Sequence, residues 1–137
     1  MGDLKIVMNE RKPHVLLIDN EPDIVLTVGK RLEVSGFDVT VAKDGLVGIA
    51  KARAAHPDIV IVDLMMPKPN GIEVCVMFKE DQDLRDIPII LYSSLWSEKD
   101  DKLLADSRAD LHVTKSQGTP VLLEAMTTLL NRMPRSR

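Results

Sequence analysis

The stretch Ile59-Val60-Ile61-Val62-Asp63-Leu64-Met65-Met66-Pro67, closed by Asn70-Gly71, decides how the chain is read. Four β-branched residues in a row match a strand buried on both faces, the pattern of a parallel sheet covered by helices. A carboxylate, Asp63, follows at once. Buried without a partner it would pay a large desolvation cost or take up a proton. Asp63 therefore stands at the open tip of the strand or has a dedicated partner. Pro67, Pro69 and Gly71 then impose a loop before the next helix can start.

The same grammar recurs on either side. Val15-Leu16-Leu17-Ile18 is an apolar strand that ends in Asp19-Asn20-Glu21. Pro22 suits the first turn of a helix, Ile24, Val28 and Leu32 recur at helical spacing, and Gly36 is a natural stop. Val39-Thr40-Val41-Ala42 is the second strand. Asp44 can cap a helix carrying Leu46, Ile49 and Ala50, with Pro57 past its end. Beyond the Pro67–Gly71 loop, Ile72, Cys75, Val76 and Lys79 belong to a third helix, and 81–86 is a polar loop. Pro88 opens a fourth strand, Ile89-Ile90-Leu91-Tyr92, which ends in Ser93-Ser94. A fourth helix over 98–106 has a weak apolar face at Leu103 and Leu104. Leu111-His112-Val113-Thr114 is a short fifth strand ending in Lys115. Leu122, Met126, Leu129, Leu130 and Met133 stripe the last helix.

Strand and helix thus alternate about five times, which implies an α/β fold with helices on both faces of a parallel sheet. Five such units suit the doubly wound, flavodoxin-like order 2-1-3-4-5, a three-layer α/β/α sandwich with five helices. Ligands in such folds bind at the carboxyl ends of the strands, where strands one and three diverge. Those strands end in Asp19 and Asp63, the fourth in Ser93 and the fifth in Lys115. Two acids, a hydroxyl and an ammonium should meet on one rim. One domain is expected over 14–133. The segment 1–13 reads as an arm, disordered or in part an expression remnant, and 134–137 as a tail.

Composition narrows the function. With 45% hydrophobic and 28% charged residues, the chain can fill a core and keep a polar surface. A net charge of −3 without a basic tract argues against a nucleic-acid binder. The lone Cys75 excludes an intrachain disulfide and a cysteine zinc site, and is expected to face the core of its helix. No apolar run approaches the roughly 20 residues of a membrane span, and no signal peptide is visible. A cytoplasmic location is expected.

Two adjacent carboxylates repel unless a cation or a proton lies between them. Mg2+ takes hard oxygen ligands and often binds through one or two carboxylates plus phosphate. A lysine and a hydroxyl alongside could hold the remaining phosphate oxygens. The set suits phosphoryl transfer, in which the protein mainly positions groups and stabilises charge. No Gly-x-x-x-x-Gly-Lys-Ser/Thr loop is present, which disfavours a nucleotide triphosphatase.

Four stretches carry a family likeness: Leu16-Leu17-Ile18-Asp19-Asn20-Glu21-Pro22-Asp23, Val62-Asp63-Leu64-Met65-Met66-Pro67 with Gly71, Pro88-Ile89-Ile90-Leu91-Tyr92-Ser93-Ser94, and Lys115. Together they resemble the receiver domain of bacterial response regulators, close to the single-domain, CheY-like chemotaxis type. The resemblance implies that Asp63 accepts a phosphoryl group from a phosphohistidine on a sensor histidine kinase or phosphotransfer protein. It implies that Asp19, Asp63 and the main-chain carbonyl of Met65 hold Mg2+. Ser93 would bond the phosphoryl group and Lys115 would pair with it. Ser93 and His112, an often-aromatic site in the family, would act as the switch that alters the surface of the fourth helix, fifth strand and fifth helix. No separate output enzyme is expected, and a homodimer is compatible with the family.

This chain departs from the family pattern in three places. Asn20 stands where a second acid is usual and would be a weakened metal ligand, leaving two negative side chains in the pocket instead of three. Glu21 normally points elsewhere in the family and is not assigned to the metal. Ser116 follows Lys115 where a proline and a cis bond are usual; a cis bond before serine would cost about 2.5–4 kcal/mol. Met65 and Leu95 occupy the positions that flank the path of the hydrolytic water, and both are apolar, which implies a long-lived phosphoaspartate.

Plainer roles exist for each residue. Asp19 can also cap the helix near Pro22, Lys115 by composition alone is a solvated loop lysine, and Trp96 is a packing residue near the output surface. Two function classes follow. One is a phosphoacceptor switch, favoured by Asp63, Ser93 and Lys115 together. The other is a pseudo-receiver, a binding or dimerisation module independent of phosphorylation, which Asn20 and Ser116 keep open.

Overall fold

The Ile59–Asp63 segment is the middle strand, and all five of its residues are buried. A computed structural model describes residues 11–94 and 100–132. Leu95, Trp96, Met133 and the start expected for the fourth helix lie outside them, as do 1–10 and 134–137. Five strands follow in sequence: β1 His14–Ile18, β2 Asp38–Ala42, β3 Ile59–Asp63, β4 Ile89–Ser93 and β5 Leu111–Thr114. Five helices alternate with them: α1 Pro22–Val34, α2 Gly45–Ala55, α3 Gly71–Glu80, α4 Asp100–Ser107 and α5 Thr119–Arg132. A short 3-10 turn, Lys115–Gln117, joins β5 to α5.

The sheet order is β2-β1-β3-β4-β5 and every pairing is parallel, as expected. Alternate residues feed two cores. Leu16, Ile18, Val60, Val62, Ile89 and Leu91 pack beneath α2 and α3, against Ile49, Ala52, Val74, Cys75 and Phe78. Val15, Leu17, Ile59, Ile61, Ile90, Tyr92 and Val113 pack beneath α1 and α5, against Val28, Leu32, Leu122, Met126 and Leu129. Each fully buried Val, Leu or Ile is worth roughly 1.5–3 kcal/mol over its exposed form. That drive is why unbroken apolar runs become inner strands.

One helix face differs from the expectation. Ile49 of α2 is buried as expected, but Leu46 and Ala50 are exposed, and the rest of the buried face is Gly45, Gly48 and Ala52. The reason is close approach: a Cβ on Gly48 would stand 2.4 Å from Ile18 Cδ1. Apart from Ile49, small residues mark the packed side of this helix. The other expected caps are present. Asp44 Oδ1 accepts from the Val47 N–H at 2.9 Å, and Gly36 ends α1 at φ +103. In α4, Leu104 is partly buried and Leu103 is exposed, so its apolar face is as weak as its sequence suggests. Cys75 is buried, and burial pushes its thiol up to about 12, which leaves it an inert core residue.

Candidate functional site at the carboxyl edge

β1 and β3 run side by side with Ile18 level with Val62, so the next residue of each strand carries its acid to the same edge. Asp19 and Asp63 are 1% and 2% exposed. Asp19 is tied in by its own N–H, which donates to Ala42 O at 3.0 Å. Its Oδ1 accepts from the Glu21 N–H at 2.9 Å and folds the Asp19-Asn20-Glu21 turn back on itself. Asp63 Oδ1 accepts from the Met65 N–H at 3.3 Å.

Lys115 reaches this edge from the far side of the sheet. Its Nζ donates to Asp19 Oδ2 at 3.0 Å and to Glu21 Oε1 at 3.1 Å, and stands 3.5 Å from Asp63 Oδ1. The same ammonium lies 5.7 Å from the centre of the Tyr92 ring, within cation–π range. The family's cis bond is not needed for this reach. Among the described residues only Lys68–Pro69 is cis, so Lys115-Ser116 is trans. The 3-10 turn over Lys115–Gln117 brings the lysine in, held by the Thr114 N–H donating to Gln117 Oε1 at 2.9 Å.

The electrostatics follow from this crowding. Burial, and then the charge of Asp19, push the Asp63 carboxyl up to about 6, against the pull of Lys115 and of the Met65 N–H. Burial works against the Lys115 ammonium, but its bond to Asp19 and the charges of Asp63 and Asp19 raise its pKa above the ordinary lysine value. Tyr92 is likewise raised, first by burial.

The loop after Asp63 is shaped by Gly71. A Cβ there would stand 2.4 Å from Asp63 O and 2.6 Å from Leu64 Cα, contacts no side chain tolerates. Only glycine lets α3 start this close to the acid, and the Gly71 N–H donates to Leu64 O at 3.1 Å. Asn70 and Glu73 fix the helix start with a reciprocal capping box.

The remaining expected site residues fall as follows. Ser93 ends β4, fully buried, one position beyond the Tyr92 that pairs in register with Asp63. Met65 is 62% exposed at the rim, while its N–H is engaged by Asp63. Asn20 is exposed at the turn between the two acids. His112 lies on β5 opposite Leu91, half-buried; burial lowers its pKa, and the nearby Asp100 and Asp101 oppose that. Leu95 is among the residues not described.

Glu21 is the correction. The sequence reading set it aside, yet oxygens of Asp19, Glu21 and Asp63 all lie within 4.8 Å of one another. The pocket holds three carboxylates, not two. Glu21 sits at the N-cap of α1 and makes no capping bond with its side chain, whose carboxylate turns to Lys115 instead. The sequence carries no local signal for this, because Pro22 at the first helical position leaves intact the Asp23 and Ile24 N–H groups that a cap would use. Tyr92 was also missed, because its ring contact with Lys115 spans two strands.

A donor set of carboxylate oxygens suits a hard divalent ion, so the residues present fit Mg2+. Among the described residues no helix is long and apolar enough to cross a membrane.

Comparison with known proteins agrees with this geometry. The family model for the response regulator receiver domain matches residues 15–127. The chain is 37% identical over 123 residues to the DNA-binding dual master transcriptional regulator RpaA of Synechocystis, covering 90% of this chain and 51% of that protein. It is 27% identical to the polar-differentiation response regulator DivK of Brucella ovis, covering 87% of this chain and 96% of DivK. The chain thus spans about half of RpaA but nearly all of DivK. Among solved structures, the signal receiver domain of a histidine kinase from Syntrophus aciditrophicus superposes with TM-score 0.84 at 26% identity, covering 91% of this chain and 95% of that one. Chemotaxis protein CheY4 of Vibrio cholerae superposes with TM-score 0.80 at 25% identity, covering 85% and 98%. With the five-stranded order, the acid pair and the lysine in place, the chain belongs to the response regulator receiver domain family.

Proposed function

We propose that the chain is a phosphoacceptor switch of a two-component phosphorelay, acting in the cytoplasm and modified at Asp63. The observation that carries this reading is the single ammonium of Lys115 set within 3.5 Å of both buried acids, Asp19 and Asp63. A scaffold gains nothing from burying two like charges around a lysine, whereas a phosphoryl acceptor needs that arrangement. Asp63, predominantly ionised at neutral pH, is the nucleophile. One of its oxygens forms a bond to phosphorus as the P–N bond of a phosphohistidine on a kinase or phosphotransfer protein breaks. The donor imidazole leaves with that electron pair and takes up a proton. Lys115 pairs with the incoming phosphoryl oxygens, and the Ser93 hydroxyl donates to another. Asp19, Asp63 and the Met65 carbonyl would hold Mg2+, with the Asn20 amide a weak neutral donor. When bound, the ion neutralises charge that builds on the transferring group. Ser93 and His112 then report the change to α4, β5 and α5. The domain assists its own modification at Asp63.

Acetyl phosphate or beryllofluoride with Mg2+ tests this. Wild type is expected to gain the mass of one phosphoryl group or to bind the fluoride adduct, and Asp63→Asn to do neither. A silent wild type would instead support a phosphorylation-independent pseudo-receiver, the reading that Asn20 favours. The lifetime of the adduct is a second measurement. Met65 is apolar and exposed at the rim, and Leu95 is apolar, so neither can orient a water. Met65→Asn and Leu95→Glu are expected to speed phosphate loss; unchanged decay in both would remove the claim of a long-lived phosphoaspartate.

A further inference from the structure

We propose that Glu21, and not Asn20, supplies the additional acidic ligand for the divalent cation in this chain, so that the acidic pair of the site is Asp19 and Glu21. This rests on the Mg2+-assisted phosphoacceptor reading above.

Three observations carry it. First, the Glu21, Asp19 and Asp63 oxygens already converge within 4.8 Å. An octahedral Mg2+ with bonds of about 2.0–2.1 Å holds its oxygens about 2.9 Å apart when adjacent and about 4.1 Å apart when opposite. The three carboxylates are therefore close to the spacing that one ion imposes. The Glu21 side chain is 57% exposed, which leaves it room to move the remaining distance. Second, the cluster already holds a cation: Lys115 Nζ lies 3.0 Å from Asp19, 3.1 Å from Glu21 and 3.5 Å from Asp63. Glu21 is about as close to that positive charge as Asp19 is, so its carboxylate, on an exposed side chain, faces the same cation as the two buried acids.

Third, the turn delivers Glu21 where an acid is wanted. The Glu21 N–H donates to Asp19 Oδ1, which pins the two residues together. The Glu21 carboxylate is not used to cap α1. Asn20, exposed at the apex of this turn, brings a neutral amide and adds no charge. Affinity for a hard divalent ion depends on the number of charged ligands, so the exchange of acid for amide at Asn20 is compensated one residue later.

Binding of Mn2+, followed by electron paramagnetic resonance of the free ion, and of Mg2+, followed by calorimetry, tests this on the unphosphorylated full chain at neutral pH. Glu21→Gln is expected to weaken both ions roughly tenfold or more, and Asn20→Ala to stay within about twofold of wild type. Asp23→Asn removes an exposed acid from the first turn of α1, outside the cluster, and controls for general loss of negative charge. Melting in EDTA checks that each variant is folded. The proposal is overturned if Asn20→Ala weakens binding as much as Glu21→Gln does, if Asp23→Asn matches Glu21→Gln, or if wild type binds neither ion. The phosphoacceptor reading fails separately. Metal held through Glu21, with no phosphoryl group gained by Asp63, would leave this inference standing and remove that one. Phosphorylation of Asp63 in a protein whose metal affinity ignores Glu21 would do the reverse.

Discussion

At the amino edge of the sheet, Asp58 takes two 3.0 Å bonds from Arg11 and one of 2.7 Å from the His14 N–H. Asp110, at the same edge, takes Lys79 Nζ at 3.1 Å and the Ile89 N–H at 2.8 Å. Each acid there has its own cation and a strand N–H to anchor it. At the carboxyl edge Asp19, Glu21 and Asp63 share the ammonium of Lys115. Acids of the first kind fasten the chain. Acids of the second kind are left with excess negative charge, which the fold tolerates at a cost in stability and which a cation or a phosphoryl group can use. That difference sets Asp19, Glu21 and Asp63 apart from the acids that fasten the chain more clearly than burial or sequence spacing does.

Asp63→Asn gives the largest expected effect, and it has two parts. The variant should take no phosphoryl group. It should also be more stable than wild type without metal. The Asp63 carboxyl takes up its proton near 6 in the folded protein, against an ordinary 3.8. Between those values the folded chain binds more protons than the unfolded one, so stability falls as pH rises through the window. The full cost is present at neutral pH, on the order of 2–3 kcal/mol. Urea unfolding in EDTA should show that gain at neutral pH and its disappearance toward about pH 4. A gain that does not depend on pH would break the contrast between the two edges.

At the other edge the sign reverses. Asp110→Ala strands the Ile89 N–H and takes the counter-charge from the largely buried Lys79 ammonium, which keeps only its bonds to the Arg85 and Ile87 carbonyls. It should destabilise the protein by about 2–3 kcal/mol in the same titration and leave phosphorylation by acetyl phosphate unchanged. Loss of phosphorylation would show that the two edges are coupled.

Gly71→Ala sharpens the picture of the carboxyl edge. The Cβ has nowhere to go against Asp63 O, so the loop must shift, at about 1–3 kcal/mol. Slower phosphorylation of Asp63 with a lowered melting temperature is the expected pair of results. Arg11→Ala should matter least, under about 1 kcal/mol, because the guanidinium is mostly exposed and its ion pair is screened. A larger loss in calorimetric melting would mean that the amino edge depends on Arg11 more than its exposure suggests.

Much of this was legible in the residues alone. Apolar runs in β1, β3 and β4 are unbroken because both faces of the inner strands are covered, while the strand order was read from the five alternating strand–helix units. The convergence of Asp19, Asp63 and Lys115 followed from topology, since parallel strands put all their carboxyl ends on one side. α2 was misread at Leu46 because a helix that touches a strand at van der Waals distance is marked by Gly48 and Ala52, which a search for large apolar residues passes over. Glu21 was misread for a different reason. Whether an acid beside a proline faces solvent or a lysine 94 positions away depends on where that lysine arrives.

By itself the sequence determined the order of elements, the edge at which chemistry can occur and the identity of the acid that stands alone after β3, because alternation and turn residues are local and topology is nearly forced by them. The tertiary structure decided the rest. It turned the Glu21 carboxylate toward Lys115, and it set the charge balance that lifts Asp63. Both depend on distances of a few ångströms between segments far apart in the chain, and electrostatic energies at that range cannot be read from spacing along one strand.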